Sequence, residues 1–352
     1  MENSTMQALV WLGPREMVER AEPMPTLADE DVLISVGAVG ICGSELSGFL
    51  GHNSLRVPPL IMGHEGAGQV VHATAGTFAT GEAAAVGARV TFNPLVVCGS
   101  CDRCSSGHSN LCRHRQLVGA HRPGAFAQYV AVPARQCYLL PDQLSLVAGS
   151  MAEPLACSIR AVALSGVKPQ ERLLILGAGP IGLFALAAAR VQGVEQILVS
   201  DVAPPRLEIA RRWGARDVIN AREQDVLAFV QDRYPGGVDR VIDAVGTTPV
   251  RTQAIRAVVP GGQVVFIGLH EEESLVPANY MIRQEITVTG SFAYTDEDFA
   301  RAMNLLVRGV VQPGVDWLQE RPLSDGPSAF AELVDGKARA TKIVLTVAPP
   351  TN

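Results

Sequence analysis

A chain of 352 residues is longer than one small core needs and predicts two domains. Hydrophobic residues make up 47% and charged residues 18%, which excludes a disordered or fibrous protein. The net charge is −6 and no basic run reaches five residues, so nucleic acid is not an expected partner, because phosphate binding needs clustered Lys and Arg.

The N-terminal stretch MENSTMQALVWLGPREMVER lacks a basic segment followed by a long apolar one and predicts no secretory signal. Up to about residue 150, short β-like runs alternate with Gly and Pro: DVLISVGAVG, AGQVVHATA, GARVTFNP and AQYVAVPA. In this part GICGSE holds Cys42 and Ser44, and GHEGAG holds His64 and Glu65. CGSCDRCSSGHSNLC, residues 98–112, then spaces Cys98, Cys101, Cys104 and Cys112 as C-x2-C-x2-C-x7-C. Four thiolates in one short loop can close a tetrahedral zinc shell with no open position, which is a structural arrangement. A redox pair needs only two of them, and a nucleic-acid finger would bring more basic residues than this lobe has.

From about Leu155 the pattern changes. LACSIRAVALSG reads as a helix, and strand-like runs then alternate with helical ones: RLLILGAG before PIGLFALAAARVQG, QILVSDV before PPRLEIARRWG, VDRVIDAVG before PVRTQAIRAVV, and finally GQVVFIGL. That alternation predicts a doubly wound parallel sheet. Leu173 to Val191 is the most membrane-like stretch by eye, but GAGPIG divides it into pieces shorter than the roughly 20 residues a span needs. A cytoplasmic protein with no membrane partner is expected, and in that compartment clustered cysteines ligate metal or do redox work more often than they pair. Beyond Ser291 come a helix, DEDFARAMNLLVRG, a short helix around GPSAFAELVDG and a last strand, KIVLTVA.

LLILGAGPIGLFALAAA places Gly177, Gly179 and Gly182 as G-x-G-x-x-G, with Pro180 and Ile181 between them, at a strand-to-helix turn. The first glycine permits the tight turn, the second lets a pyrophosphate approach the backbone, and the third allows close helix–strand packing. The helix N-terminus adds free N–H groups and a positive dipole. Asp201 closes the next strand-like run, where an acid accepts hydrogen bonds from the adenosine ribose and repels a 2′-phosphate. NAD is therefore expected over NADP, with Arg206 the one nearby residue that could serve a 2′-phosphate. Val245 and Gly268, at the ends of later strands, complete the candidate cofactor surface.

Cys42, His64 and a carboxylate, either Glu65 or Glu153 of MAEPLAC, are the ligand types of an open catalytic zinc. Taken singly they read as a core thiol, a buried imidazole and surface acids. Together with GICGSE, MGHEGAGQVV, the four-cysteine lobe, GAFAQYVAVP, MAEPLA and GAGPIG, in that order, they make the chain resemble the zinc-dependent medium-chain dehydrogenase/reductase family over nearly its whole length. EPLA resembles the polyol branch, which includes sorbitol and butanediol dehydrogenases.

The resemblance implies an α/β fold: a GroES-like, β-rich catalytic domain over 1–154 containing the lobe, an inserted Rossmann domain over 155–291, and a C-terminal return over 292–352. It implies NAD, two zinc ions per chain (one catalytic, one structural), and hydride transfer between NAD and a secondary alcohol or polyol. Another branch, with simple alcohols, aldehydes or amino alcohols as substrates, and a cofactor-binding member without turnover are the alternatives. A homo-oligomer, dimer or tetramer, is implied as well. Cys42 and His64 would hold the catalytic zinc, with Glu65 or Glu153 completing the shell directly or through water, and Ser44 would pass the substrate proton outward.

Two positions depart from the family pattern. Ser47 stands where many relatives carry a relay histidine, with His52 nearby but out of register. Glu45 replaces the usual Asp, and the family pattern pairs that acid with a base at the place of Lys342. His108, His114 and His121 read as surface residues, and Cys137 and Cys157 as buried thiols. Substrate-facing residues are expected on loops such as LSGFLGHNSLRVPP and around GSFAYTD.

Overall fold

The run DVLISVGAVG is buried along almost its whole length and so takes a central place in a sheet. In the computed structural model, which describes residues 5–314 and 316–348, this strand, Asp31–Gly40, pairs antiparallel with Glu65–Ala73, Tyr129–Pro133 and Lys342–Thr346. The main path of the sheet runs Cys137–Leu139, Arg89–Phe92, Glu65–Ala73, Asp31–Gly40, Lys342–Thr346, Leu318–Pro322. Strands from the two ends of the sequence are thus neighbours. The chain accordingly divides into one unit of Met1–Glu153 with Thr295–Asn352 and a second of Pro154–Tyr294.

The first unit is closed by side chains of both its segments. Val36, Val39, Phe92, Phe126, Phe330 and Ile343 share one core. Phe126 meets Phe330 edge-on, with ring centroids 5.6 Å apart, the arrangement the ring quadrupoles favour.

The second unit is a parallel six-stranded sheet in the order Asp217–Asn220, Gln196–Asp201, Arg172–Leu176, Val238–Asp243, Val258–Phe266, Thr287–Gly290. Its central strand Arg172–Leu176 is apolar and buried from Leu173 onward, because helices cover both faces of such sheets. The strand order reverses between Arg172–Leu176 and Val238–Asp243, and a crevice opens at the carboxyl ends of strands where that happens.

The helix Pro180–Val191 begins with Pro at a position whose N–H would have no partner, and Gly193 past its end adopts φ +86°. Leu183, Phe184 and Leu186 are fully buried, each contributing about 1.5–3 kcal/mol, so packing holds this helix more than propensity does.

The helical stretch Leu146–Ser165 is long and apolar enough to cross a membrane by length and composition, and 78% of its most apolar window is buried within the protein. This is a different segment from Leu173–Val191, which length and hydropathy singled out in the sequence. Cys137 is buried, whereas Cys157 is only half-buried, contrary to expectation, on the helix Ala152–Ser165.

Candidate active site

Cys42 caps the N-terminus of the short helix Gly43–Phe49, and Glu45 in its first turn folds back on it. The Glu45 Oε2 accepts the Cys42 N–H at 3.0 Å, while Oε1 accepts the Gly63 N–H at 2.9 Å and meets His64 Nδ1 at 2.7 Å. That last contact fixes the ring orientation and leaves Nε2 for a ligand, as carboxylates behind metal-binding histidines do. Burial opposes charge on both partners, yet each stabilises the other. His64 and Arg56 hold the Glu45 carboxyl below its ordinary value, and Glu45 and Cys42 lift the His64 ring well above its own.

Cys42, His64 and Glu65 each bring a ligand atom within 4.8 Å of the other two. Glu65 Oε2 accepts from Lys342 Nζ, and Oε1 is buried without a hydrogen-bond partner. An orphaned carboxylate oxygen beside a thiol and an imidazole fits a zinc ion, which takes these three ligand types.

The pair that does form corrects one expectation: Lys342 is bound to Glu65 and to the Ile41 carbonyl at 3.0 Å, not to Glu45. Sheet register is the reason. Gly40 lies opposite Glu65 on one side and Val344 on the other, and a Cβ at Gly40 would collide with Glu65 Oε2 and come within 2.9 Å of Lys342 Cε. Only a residue without a side chain leaves room for the buried ion pair.

Glu153 lies outside the three-residue cluster. It is buried, 7% exposed, in the first turn of the helix Ala152–Ser165. The Ser44 hydroxyl donates to Cys42 Sγ at 3.5 Å. Ser47 is half-buried and His52 exposed. Sequence reasoning missed Arg56, which is 4% exposed and donates through Nη2 to Ser44 Oγ at 3.4 Å. Its place within the candidate substrate loop was the only signal.

The four-cysteine lobe folds around its sulfurs. The Sγ atoms of Cys101 and Cys104 are 3.6 Å apart, those of Cys101 and Cys112 3.9 Å, and those of Cys112 and Cys98 3.5 Å. A disulfide needs about 2.05 Å. A tetrahedron with metal–sulfur distances of about 2.3 Å has edges of about 3.8 Å, so the spacing fits a zinc ion. Backbone N–H groups of Ser100 and Cys101 lower the Cys98 thiol to about 6, while burial and neighbouring thiols raise Cys104 to about 12. A divalent cation relieves that conflict, because coordinated thiols ionise outright. His108, His114 and His121 are exposed.

In the second unit the fingerprint turn has the expected contacts. A Cβ on Gly177 would come within 2.8 Å of the Val245 side chain, one on Gly268 would strike the Val245 backbone, and one on Gly182 would strike the Gly177 carbonyl. Gly177, Gly182, Val245 and Gly268 therefore come together at the carboxyl ends of adjacent strands. Above Gly179, the N-cap before Pro180 and Ile181, a Cβ would meet nothing within 4 Å, which leaves the approach a pyrophosphate needs. Asp201 is buried. It accepts the Ala178 N–H at 2.7 Å through Oδ2 and the Ala203 N–H at 2.8 Å through Oδ1. Arg206 approaches to 3.9 Å.

Comparisons with known proteins find two family models along the chain. The model of the alcohol dehydrogenase GroES-like domain matches residues 28–142, and that of the zinc-binding dehydrogenases matches residues 180–308. The sorbitol dehydrogenase of Bacillus subtilis (strain 168) is 35% identical over 317 residues, 87% of each chain. Among solved structures, a zinc-binding dehydrogenase of Sinorhizobium meliloti 1021 bound to NADP is 31% identical, with a TM-score of 0.86 over 98% of this chain and 100% of that one. A protein described as a short chain alcohol dehydrogenase from Escherichia coli CFT073, in complex with NADH, is 26% identical, with a TM-score of 0.88 over the same shares.

Proposed function

We propose a function from one premise: the chain belongs to the zinc-binding dehydrogenase family. It is an alcohol dehydrogenase that uses zinc and NAD, and its substrate is a secondary alcohol with further hydroxyls, a polyol, oxidised to the ketone. The observation that carries the reading is the orphaned Glu65 Oε1 beside Cys42 and His64. When bound, zinc supplies the Lewis acidity that makes an alcohol proton easier to lose, and NAD accepts the hydride.

The chain's residues supply the rest. Cys42, His64 and Glu65 hold the metal. Glu45 keeps the His64 ring in the ligating tautomer, and Lys342 balances the charge of Glu65. Ser44 Oγ receives the hydrogen bond of the substrate hydroxyl. The proton's onward route has no imidazole at residue 47, where serine stands, and does not pass through Arg56, since a guanidinium does not accept protons. Glu153 serves a water or a second substrate hydroxyl. Cys98, Cys101, Cys104 and Cys112 hold a second, structural zinc.

Gly177, Gly179, Pro180, Ile181, Gly182, Val245 and Gly268 form the dinucleotide surface, and Asp201 selects NAD over NADP. The partner is a second copy of the chain. Among the described residues Thr287–Gly290 ends its sheet with an unpaired edge, and Leu275 and Ile282 are 85% and 73% exposed. The lobe sulfurs stand 3.5–3.9 Å apart, too far for a disulfide, and thiols kept for metal suit the reducing cytoplasm.

The test is a screen of secondary alcohols, vicinal diols and sugar alcohols with NAD, read by NADH absorbance. Zinc-loaded protein should oxidise polyols, lose activity on chelation and regain it with zinc. No turnover of any polyol by protein carrying its full zinc complement would sink the reading.

A further inference from the structure

Arg56 is the buried charge that the reaction outlined above leaves without a task. The residue is 4% exposed. Its Nε is buried with no hydrogen-bond partner, and its single side-chain hydrogen bond is the long one from Nη2 to Ser44 Oγ, 3.4 Å. Among the described residues no carboxylate lies within ion-pairing distance of its guanidinium. The charge of Glu45 favours that of Arg56 through space, but its oxygens are taken by His64 and the Gly63 and Cys42 N–H groups, and Glu65 is taken by Lys342. Burying a guanidinium without a carboxylate hydrogen-bonded to it is unfavourable, because buried charges are ordinarily both paired and hydrogen-bonded.

The fold nevertheless makes room for it. Gly48 faces the arginine stem, and a Cβ there would lie 2.6 Å from Arg56 Cδ. The guanidinium sits two hydrogen-bond lengths from Cys42 Sγ, by way of the Ser44 hydroxyl. A short carbon chain spans that reach from a carbinol near the metal ligands.

We propose that Arg56 is a specificity-determining residue that binds a carboxylate of the substrate, so that the polyol this enzyme oxidises is a sugar acid, not a neutral sugar alcohol. The inference rests on the polyol reading above and narrows it. A carboxylate matches the planar fork of a guanidinium with two parallel hydrogen bonds and supplies the hydrogen-bonded acid that Arg56 lacks. It would displace the weak bond to Ser44 and leave that hydroxyl for the reacting alcohol.

The experiment compares C5 and C6 aldonates with their matched alditols, and with alditol phosphates as a third arm, on zinc-loaded enzyme with NAD. At least one aldonate should exceed its alditol at least tenfold in kcat/KM. Arg56→Gln should lower the aldonate value roughly tenfold to hundredfold more than it lowers the alditol value, the worth of a charge-assisted hydrogen bond. Arg56→Lys should recover part of the loss. Calorimetric titration of the same aldonates into the enzyme–NADH complex supplies a readout independent of turnover, and binding should weaken about tenfold or more in Arg56→Gln.

Alditols preferred over every aldonate, phosphates preferred over carboxylates, or an equal loss on acid and neutral substrates in Arg56→Gln would each overturn the proposal. If alditols are oxidised and aldonates are not, only this inference fails. If nothing is oxidised the polyol reading fails, and the titration still judges Arg56, because aldonate binding that depends on the guanidinium supports it and no binding overturns it.

Discussion

Asp201 joins two tasks in one carboxylate. Its oxygens fasten the fingerprint loop, through Ala178, and the following turn, through Ala203, to the end of the strand Gln196–Asp201. In the proposed function its charge discriminates between ribose and ribose phosphate, and Arg206 at 3.9 Å neutralises it only weakly. Asp201→Asn removes the charge and keeps one of the two loop contacts, because the amide oxygen accepts one backbone N–H while the amide nitrogen, a donor, cannot accept the other. Two like charges about 5 Å apart repel by about 3 kcal/mol at an effective dielectric of about 20. The preference for NAD over NADP, measured as the ratio of kcat/KM values, should therefore shrink tenfold to hundredfold in the variant. An unchanged ratio would mean that the loop contacts, and not the charge, set the choice.

At the scale of elements, the lobe of residues 98–112 has almost no apolar interior. The helical turn Asp102–Ser105 buries no residue, and of the lobe only Asn110 and Cys112 are buried. Apart from backbone hydrogen bonds, its main ties are the thiols and the paired hydrogen bonds of Arg113 to Asp102 at 2.7 and 3.0 Å. Under the proposed assignment a segment built this way depends on zinc for its shape. Cys101→Ser should cut the zinc content from two ions per chain to one and make this segment the first site of proteolysis, with both sheets intact. Metal analysis that still found two ions would refute the assignment.

The lobe was legible in the sequence because its ligands are neighbours along the chain, and the fingerprint for the same reason. The catalytic cluster was legible only as a resemblance, since Cys42 and His64 stand on separate elements. The partner of Lys342 was misjudged because it depends on register: Glu65 faces it across Gly40, a relation that exists only once three strands pair. Arg56 stayed hidden because the burial of a loop arginine follows from the space beside Gly48 and from nothing in its own surroundings in sequence.

For the whole molecule, the decisive feature is that each unit has its own sheet and its own apolar cluster. A ligand that binds only the folded form of one unit multiplies that unit's protection against unfolding by one plus its concentration over Kd, about 100-fold at 100 times Kd. NADH should therefore slow amide exchange in the strands Arg172–Leu176 and Val238–Asp243 and in the helix Pro180–Val191 by up to that factor, and leave Asp31–Gly40 and Lys342–Thr346 nearly unchanged. Removal of zinc should act on the other unit, with exchange rising in the lobe and in Glu65–Ala73, whose first residue loses the metal's hold on its orphaned oxygen. Peptide-resolved hydrogen exchange distinguishes the cases. If NADH protected the strands of both units equally, the chain would unfold as one cooperative body, and the separate cores would not be separate units of stability.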